Sequence, residues 1–124
     1  MAIKRNLGIG LDVLLTANEA QPGFPPGQNI LSQARLLYGQ ALEQDESGNT
    51  YEAYHLYRQV MDLVGSKALD STELSRLVSR TCNNLAVLLF ESGHTAEAAG
   101  YLRQAIAVYP QNRTAIENMK LIRE

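Results

Sequence analysis

Residues 82–110 read CNNLAVLLFESGHTAEAAGYLRQAIAVYP, which is two apolar helical patterns joined by a Ser-Gly turn. The first pattern repeats apolar residues at spacings of three and four up to Gly93, as one face of an α-helix does. The second pattern runs from Thr95 to Pro110, where the proline stops it because the residue before a proline disfavours helix. The stretch therefore predicts a helical hairpin.

An internal repeat extends this pattern toward the N-terminus. Four positions recur at a constant offset: Gly48, Ala53, Tyr57 and Val60 correspond to Gly93, Ala98, Leu102 and Ala105. Coincident offsets of this kind are the signature of a repeat architecture. The sequence therefore predicts a second, earlier hairpin.

Helix signals fill the rest of the body. The predicted helices span about 29–46, 50–64, from 70 to the glycine at 93, from 95 to the proline at 110, and 113–124. Asp70 is expected to cap the third helix, and Asn112 the fifth. Ile116, Met119 and Ile122 form the predicted apolar face of the fifth helix. The predicted fold class is all-α.

The second hairpin resembles the tetratricopeptide repeat (TPR), a helix-turn-helix unit of about 34 residues. The matching positions are Cys82, Leu85, Ala86, Leu89, Gly93, Ala98, Leu102, Ala105 and Pro110. The resemblance implies a TPR-like helical solenoid of about two and a half repeats over residues 29–124. It places repeats at 34–67 and 79–112, an insertion at 68–78 that lengthens the third helix by about three turns, and a half repeat or cap at 113–124.

A concave groove is the site that this resemblance implies. Its lining would be Arg35, Tyr38, Leu42, Arg80, Asn83, Val87, Phe90, Glu117 and Leu121. Arg35 and Arg80 occupy equivalent places and could bind peptide carboxylates, while Tyr38 and Phe90 offer large contact area. The alternative is that both arginines are solvated. We expect the groove to bind a protein or peptide.

Composition argues against several classes of function. Lys and Arg number 11 against 13 Asp and Glu, for a net charge of -2, so the basic field that binds nucleic acid or anionic membranes is missing. Cys82 is the one cysteine, which argues against a disulfide framework and predicts a reducing, cytoplasmic setting. No apolar run of about 18 residues is present, so no membrane span is expected.

Catalytic and ligand motifs are also missing from the sequence. His55 and His94 stand in no metal-ligand pattern, and no glycine-rich phosphate-binding loop follows a predicted strand. Cys82 lies on the inner stripe of the third helix, where a buried small hydrophobe is expected. We predict a protein that is not an enzyme and binds neither a metal nor a cofactor.

The N-terminal part of the sequence reads as a leader, residues 1–21, separated from the body by a Pro/Gly linker at 22–28. Residues 5–15, RNLGIGLDVLL, resemble the N-terminal tail of ParB partition proteins. In place of the usual basic residue between the two glycines stands Ile9. The resemblance implies that this flexible leader docks on a ParA/MinD-type ATPase of a bacterial cytoplasm. The docking residues would be Lys4, Arg5, Leu7, Leu11, Leu14 and Leu15.

Two hypotheses about the leader stay open. In the first, the protein is an adaptor whose leader docks on the ATPase while its groove binds a peptide or protein. In the second, it is an assembly subunit or secretion-type chaperone whose leader packs on its own body. Repeat arrays usually need three or more units, so the leader, a second copy in a homodimer, or a partner is expected to complete the core.

Overall fold

The computed structural model of the chain describes residues 3–7 and 26–122. In that part of the chain the helices are α1 (Pro26–Glu46), α2 (Thr50–Val64), α3 (Thr72–Glu91), α4 (Thr95–Val108) and α5 (Arg113–Ile122). A 3-10 helix, Gly65–Leu69, joins α2 to α3, and the described residues contain no strand. The predicted all-α, TPR-like helical repeat is confirmed.

The helices pack as two hairpins in series. Helix α1 packs on α2 and α3 on α4, while α2 also contacts α3 and α5 contacts α4. Gly48 and Gly93 form the equivalent turns, with φ of 83° and 88°. Glycine adopts this left-handed conformation without the steric cost that a Cβ brings. The repeat in the sequence is therefore a repeat of turn geometry.

One apolar core runs through both hairpins. The buried face of α2 is formed by Ala53, Tyr57, Val60 and Val64. The rings of Tyr38 and Tyr57 pack with their centroids 5.8 Å apart, between α1 and α2. Helix α3 also contacts both α1 and α5. The first helices of successive units therefore lie side by side and form one continuous face, the one that the TPR resemblance implies is concave.

The start of α1 differs from the prediction. The helix begins at Pro26, three residues before the predicted start at Asn29. Proline is well suited to the first turn of a helix, because the N–H that it lacks would have no intrahelical partner there. The C-terminal end of the predicted linker 22–28 is therefore helical, and residues 22–25 lie outside the described part.

The start of α3 also differs. Ser71, not Asp70, is the cap, and its Oγ accepts a hydrogen bond from the Leu74 N–H at 3.1 Å. The backbone of Ser71 is extended, whereas Asp70 is still helical as it ends the 3-10 helix. Because α3 begins at Thr72, it takes up only the second part of the segment 68–78, about two turns instead of three.

The predicted apolar face of α5 is correct in part, because Met119 and Ile122 pack against the core without being its most buried residues. The fully buried residues are Ala115 and Asn118, whereas Ile116, Met119 and Ile122 are only partly buried. An asparagine was not expected on the inner face of a helix, because it loses hydrogen bonds to water there. Asn118 is buried because its carboxamide forms hydrogen bonds in the groove.

Candidate peptide-binding groove

Residues 3–7 lie on the face that α1, α3 and α5 share, and the main chain of Lys4 is held by two asparagines. The Lys4 N–H donates to Asn118 Oδ1 at 2.8 Å. The Lys4 carbonyl accepts from Asn118 Nδ2 at 2.6 Å and from Asn83 Nδ2 at 2.9 Å. Asn83 Oδ1 in turn accepts from Asn118 Nδ2 at 2.8 Å, which fixes both carboxamides. Helices α3 and α5 thus bind one residue of the N-terminal segment through its backbone.

The main chain of Asn6 is held in the same manner. Its N–H donates to Asn84 Oδ1 at 2.7 Å, and its carbonyl accepts from Asn84 Nδ2 at 3.2 Å and from the Tyr38 hydroxyl at 2.6 Å. Lys4 and Asn6 are two residues apart, the period at which an extended chain presents the same edge. The groove therefore binds alternate residues of the segment by both of their main-chain polar groups.

The side chain of Asn6 is also recognised. Asn112 Nδ2 donates to Asn6 Oδ1 at 3.0 Å, and Asn6 Nδ2 approaches Asn112 Oδ1 at 3.4 Å. Asn112 is the predicted cap of α5, and its Oδ1 accepts from the Ala115 N–H at 3.1 Å. It also donates to Ser79 Oγ at 2.9 Å. The side chain of Asn112 therefore caps α5 and also binds Asn6 in the groove.

Arg5, between the two clamped residues, binds two carboxylates. Its Nε donates to Asp45 Oδ2 at 2.7 Å, and Nη2 and Nη1 donate to the two oxygens of Glu91 at 2.8 and 3.3 Å. Burial acts to lower the pKa of Arg5, but the hydrogen bonds to Glu91 and Asp45 outweigh it and raise that pKa. The guanidinium is therefore a fixed charge that joins α1 to α3.

Asp45 connects this ion pair to the core. The hydroxyl of Tyr57 donates to Asp45 Oδ2 at 2.9 Å and accepts from Asn84 Nδ2 at 3.2 Å. Burial raises the pKa of Tyr57, and the nearby Asp45 charge raises it further. Burial likewise raises the pKa of Tyr38. Both phenols therefore stay neutral donors for the groove.

Buried asparagines are the chemical signature of this site. Asn83 and Asn84 have no exposed surface and Asn118 has 1 %. An unpaired carboxamide at such a place costs about 1 to 3 kcal/mol. Every buried side-chain nitrogen and oxygen of the described residues has a hydrogen-bond partner, and residues 3–7 supply part of that pairing.

The residues predicted to line the groove divide into three groups. Tyr38 and Asn83 bind residues 3–7 directly. Arg80 lines a polar cavity of about 250 Å³ together with Asn6. The others are buried (Leu42, Val87), partly buried (Arg35, Leu121) or exposed (Phe90, Glu117).

Sequence reasoning missed most of the polar contacts. The missed residues are Asp45, Asn84, Glu91, Asn112 in its second role, and Asn118. A signal was available, because asparagine is a poor helix former whose side chain competes for backbone hydrogen bonds. Asparagines at 83, 84 and 118, inside helices and among apolar residues, indicate that their side chains have another partner.

The predicted docking residues of the leader are only partly described. Lys4 is exposed and Leu7 is 56 % exposed. Arg5 is engaged with Asp45 and Glu91. Leu11, Leu14 and Leu15 lie outside the described residues.

The described residues offer little other chemistry. Cys82 is fully buried, and burial raises the pKa of its thiol to about 12. No cluster of three or more His, Cys, Asp or Glu residues that could hold a metal ion occurs in the described part of the chain. Among the helices described, none has the length and apolar character needed to cross a membrane.

Two hairpins with glycine turns, whose first helices share one face, define an all-α helical repeat that is TPR-like. Residues 79–112, less than half of the chain, match the family model of the tetratricopeptide repeat. Searches of the curated proteins and of the solved structures found no match to the chain. The repeat indicates a role in protein–protein interaction, and this family is typically non-enzymatic.

Proposed function

We propose that the protein is an interaction module whose groove binds an extended segment of a partner protein by its main chain. The observation that supports this is the clamp on Lys4 and Asn6, where asparagine carboxamides pair with both the N–H and the carbonyl of each residue. Main-chain groups occur in every peptide. The contacts made with residues 3–7 are therefore contacts that a partner segment can also make.

The test uses a full chain in which residues 3–7 cannot bind well. Lys4→Pro with Asn6→Pro removes both clamped N–H groups, because proline has none. We call this double substitution the groove-open variant. A labelled peptide of residues 1–7, MAIKRNL, is titrated into it and followed by fluorescence anisotropy, after circular dichroism has verified the helical fold.

Methylation of single backbone nitrogens of that peptide tests the clamp itself. A methyl group on the nitrogen of its Lys4 or Asn6 should weaken binding about tenfold or more, since it removes a donor to Asn118 or Asn84. A methyl group on the nitrogen of its Arg5, which is not among the clamped groups, is the control and should weaken binding much less. Equal losses at all three positions would contradict main-chain recognition.

A homodimer follows from the same chemistry. Residues 3–7 of a second copy offer the same N–H and carbonyl groups to the groove, and an exchange of identical segments is a low-cost route to a dimer. Sedimentation velocity over a range of chain concentrations would detect it. A monomer at every concentration would exclude the exchange under those conditions.

Docking of the leader on a ParA/MinD-type ATPase is a second candidate function, and the resemblance of residues 5–15 supports it. A partner of that class would place the protein in a bacterial cytoplasm. Leu11→Asp with Leu14→Asp should abolish capture of such an ATPase and leave the melting temperature unchanged. Under the assembly-subunit or secretion-chaperone hypothesis, the same variant should melt at a lower temperature, because the leader completes the fold.

A further inference from the structure

The strongest charged feature of the groove is the pair of carboxylates around Arg5. Asp45 lies in the last turn of α1, and Glu91 is the last residue of α3. The C-terminus of a helix carries partial negative charge, so a carboxylate is disfavoured at both places. The side chain of Asp45 is also only 1 % exposed. A segment that filled this part of the groove without bringing a cation would bury the Asp45 carboxylate beside a second one, at a considerable desolvation cost.

The geometry fits arginine in particular. Three N–H groups of one planar guanidinium reach two carboxylates that come from different helices. An ammonium group is a compact point charge and cannot pair side by side with both oxygens of Glu91 while also reaching Asp45. The pocket therefore distinguishes arginine from lysine as well as from neutral residues.

We propose that the groove selects partner segments that carry an arginine between the two clamped residues, and that residues 3–7 are a built-in competitor that such a segment must displace. This inference rests on the proposed function, because the main-chain clamp brings the arginine to its pocket. Asn6 adds a smaller preference, because its carboxamide pairs with Asn112. The partner is therefore a protein with an exposed, extended segment containing Arg-Asn or a close equivalent.

Tethering explains why the competitor is effective. Residues 3–7 belong to the same chain as the groove, so their effective concentration is far above that of a free partner. The apparent affinity for a partner is the intrinsic affinity multiplied by the fraction of molecules whose groove is open. Loss of the Arg5 contacts should raise the fraction of molecules whose groove is open.

The first experiment tests the choice of arginine. The groove-open variant is titrated with three labelled peptides, MAIKRNL and its forms with lysine or alanine in place of arginine. We expect the alanine peptide to bind about tenfold or more weakly than the arginine peptide, with the lysine peptide between them. Equal affinities would overturn the arginine preference and leave the main-chain clamp intact. Failure of all three peptides to bind would overturn both proposals.

A substitution of Glu91 tests whether the preference for arginine arises in this pocket. Glu91→Gln in the groove-open variant should weaken binding of the arginine peptide severalfold and leave the affinity for the alanine peptide unchanged. Glu91 has a side chain 53 % exposed, so the substitution should not disturb the fold. The matched control is Glu97→Gln, at a side chain 64 % exposed on α4 that pairs with His94. An equal effect of both substitutions would place the arginine elsewhere.

The second experiment tests the competitor. The arginine peptide is titrated into the unaltered full chain and into the full chain with Arg5→Glu, which puts a third carboxylate beside Asp45 and Glu91. We expect Arg5→Glu to bind the peptide about tenfold or more tightly than the unaltered chain. Equal binding by the two chains would overturn the competitor role and would not affect the arginine preference.

Discussion

Asn84 joins the core to the groove through a single carboxamide. It pairs with the main chain of Asn6 and donates to the hydroxyls of Tyr38 and Tyr57, at 2.9 and 3.2 Å. Asn84→Ala leaves these buried partners incompletely paired, so we expect the free energy of unfolding to fall by about 2 kcal/mol in urea denaturation. Asn49→Ala is the control, because Asn49 is exposed and its side-chain hydrogen bond, from Nδ2 to Gln44 Oε1 at 2.7 Å, is an exposed one. A loss at Asn84 no larger than that at Asn49 would contradict this role.

Cys82 should be chemically inert while the chain is folded. Burial raises the pKa of its thiol from the ordinary value near 9.0 to about 12, so at pH 8 the folded chain holds far less thiolate than the unfolded chain. We expect Ellman's reagent to react with Cys82 rapidly in guanidinium chloride and very slowly in native buffer at the same pH. Similar rates in the two solvents would mean that the thiol is accessible in the fold.

The turn between α3 and α4 depends on the left-handed conformation of Gly93. At φ of 88° a Cβ meets no atom within 4 Å, so the cost of Gly93→Ala is backbone strain alone. We expect a loss of about 1 kcal/mol. Gly100→Ala inside α4 is the matched control. It should stabilise the chain by about 0.5 to 1 kcal/mol, because its Cβ would have ordinary contacts and alanine favours helix.

Thermal or urea unfolding of the two glycine variants should therefore show shifts of opposite sign. A destabilising effect of the same size at both positions would mean that the hairpin does not depend on the left-handed turn.

Helices were predictable because their signals are local. The apolar stripe of α2 and the stops at Gly48 and Gly93 follow from spacing and backbone freedom over a few residues. The cap of α3 was placed one residue early, because Asp70 and Ser71 are both good cap residues and the choice depends on the backbone conformation of each. The inner face of α5 was predicted only in part, because Asn118 is buried for its hydrogen bonds instead of its hydrophobicity.

The site was less predictable because it is assembled from distant parts of the chain. The main chain of Lys4 meets Asn118, which is 114 residues away in sequence. Tyr38 and Asn83 could be placed in the groove because the resemblance to the tetratricopeptide repeat implies which helix faces line it. Asp45 and Glu91 could not, because their role requires knowing that Arg5 lies between two helix ends. The sequence thus predicts the surface, whereas it leaves the placement of the leader open between two hypotheses.

The whole domain should lose stability in alkali. Burial raises the pKa of Tyr57, Tyr38 and Cys82 in the folded chain, so each keeps its proton to a higher pH than in the unfolded chain. Above about pH 9 the unfolded chain therefore binds fewer protons than the folded one, and the free energy of unfolding falls as the pH rises. Each group can add up to about 1.4 kcal/mol per pH unit to that fall.

Urea denaturation at a series of pH values between 7 and 11 measures this dependence. Tyr57→Phe removes one of the titrating groups, so its stability should start lower at pH 7, through the lost bond to Asp45, and then fall less steeply than that of the unaltered chain. Tyr51→Phe is the control, because Tyr51 is 72 % exposed and meets water in both states. Parallel curves for Tyr57→Phe and the unaltered chain would mean that the Tyr57 hydroxyl is ionised as easily in the folded groove as in the unfolded chain. In that case the phenol could not act as a fixed neutral donor to Asp45.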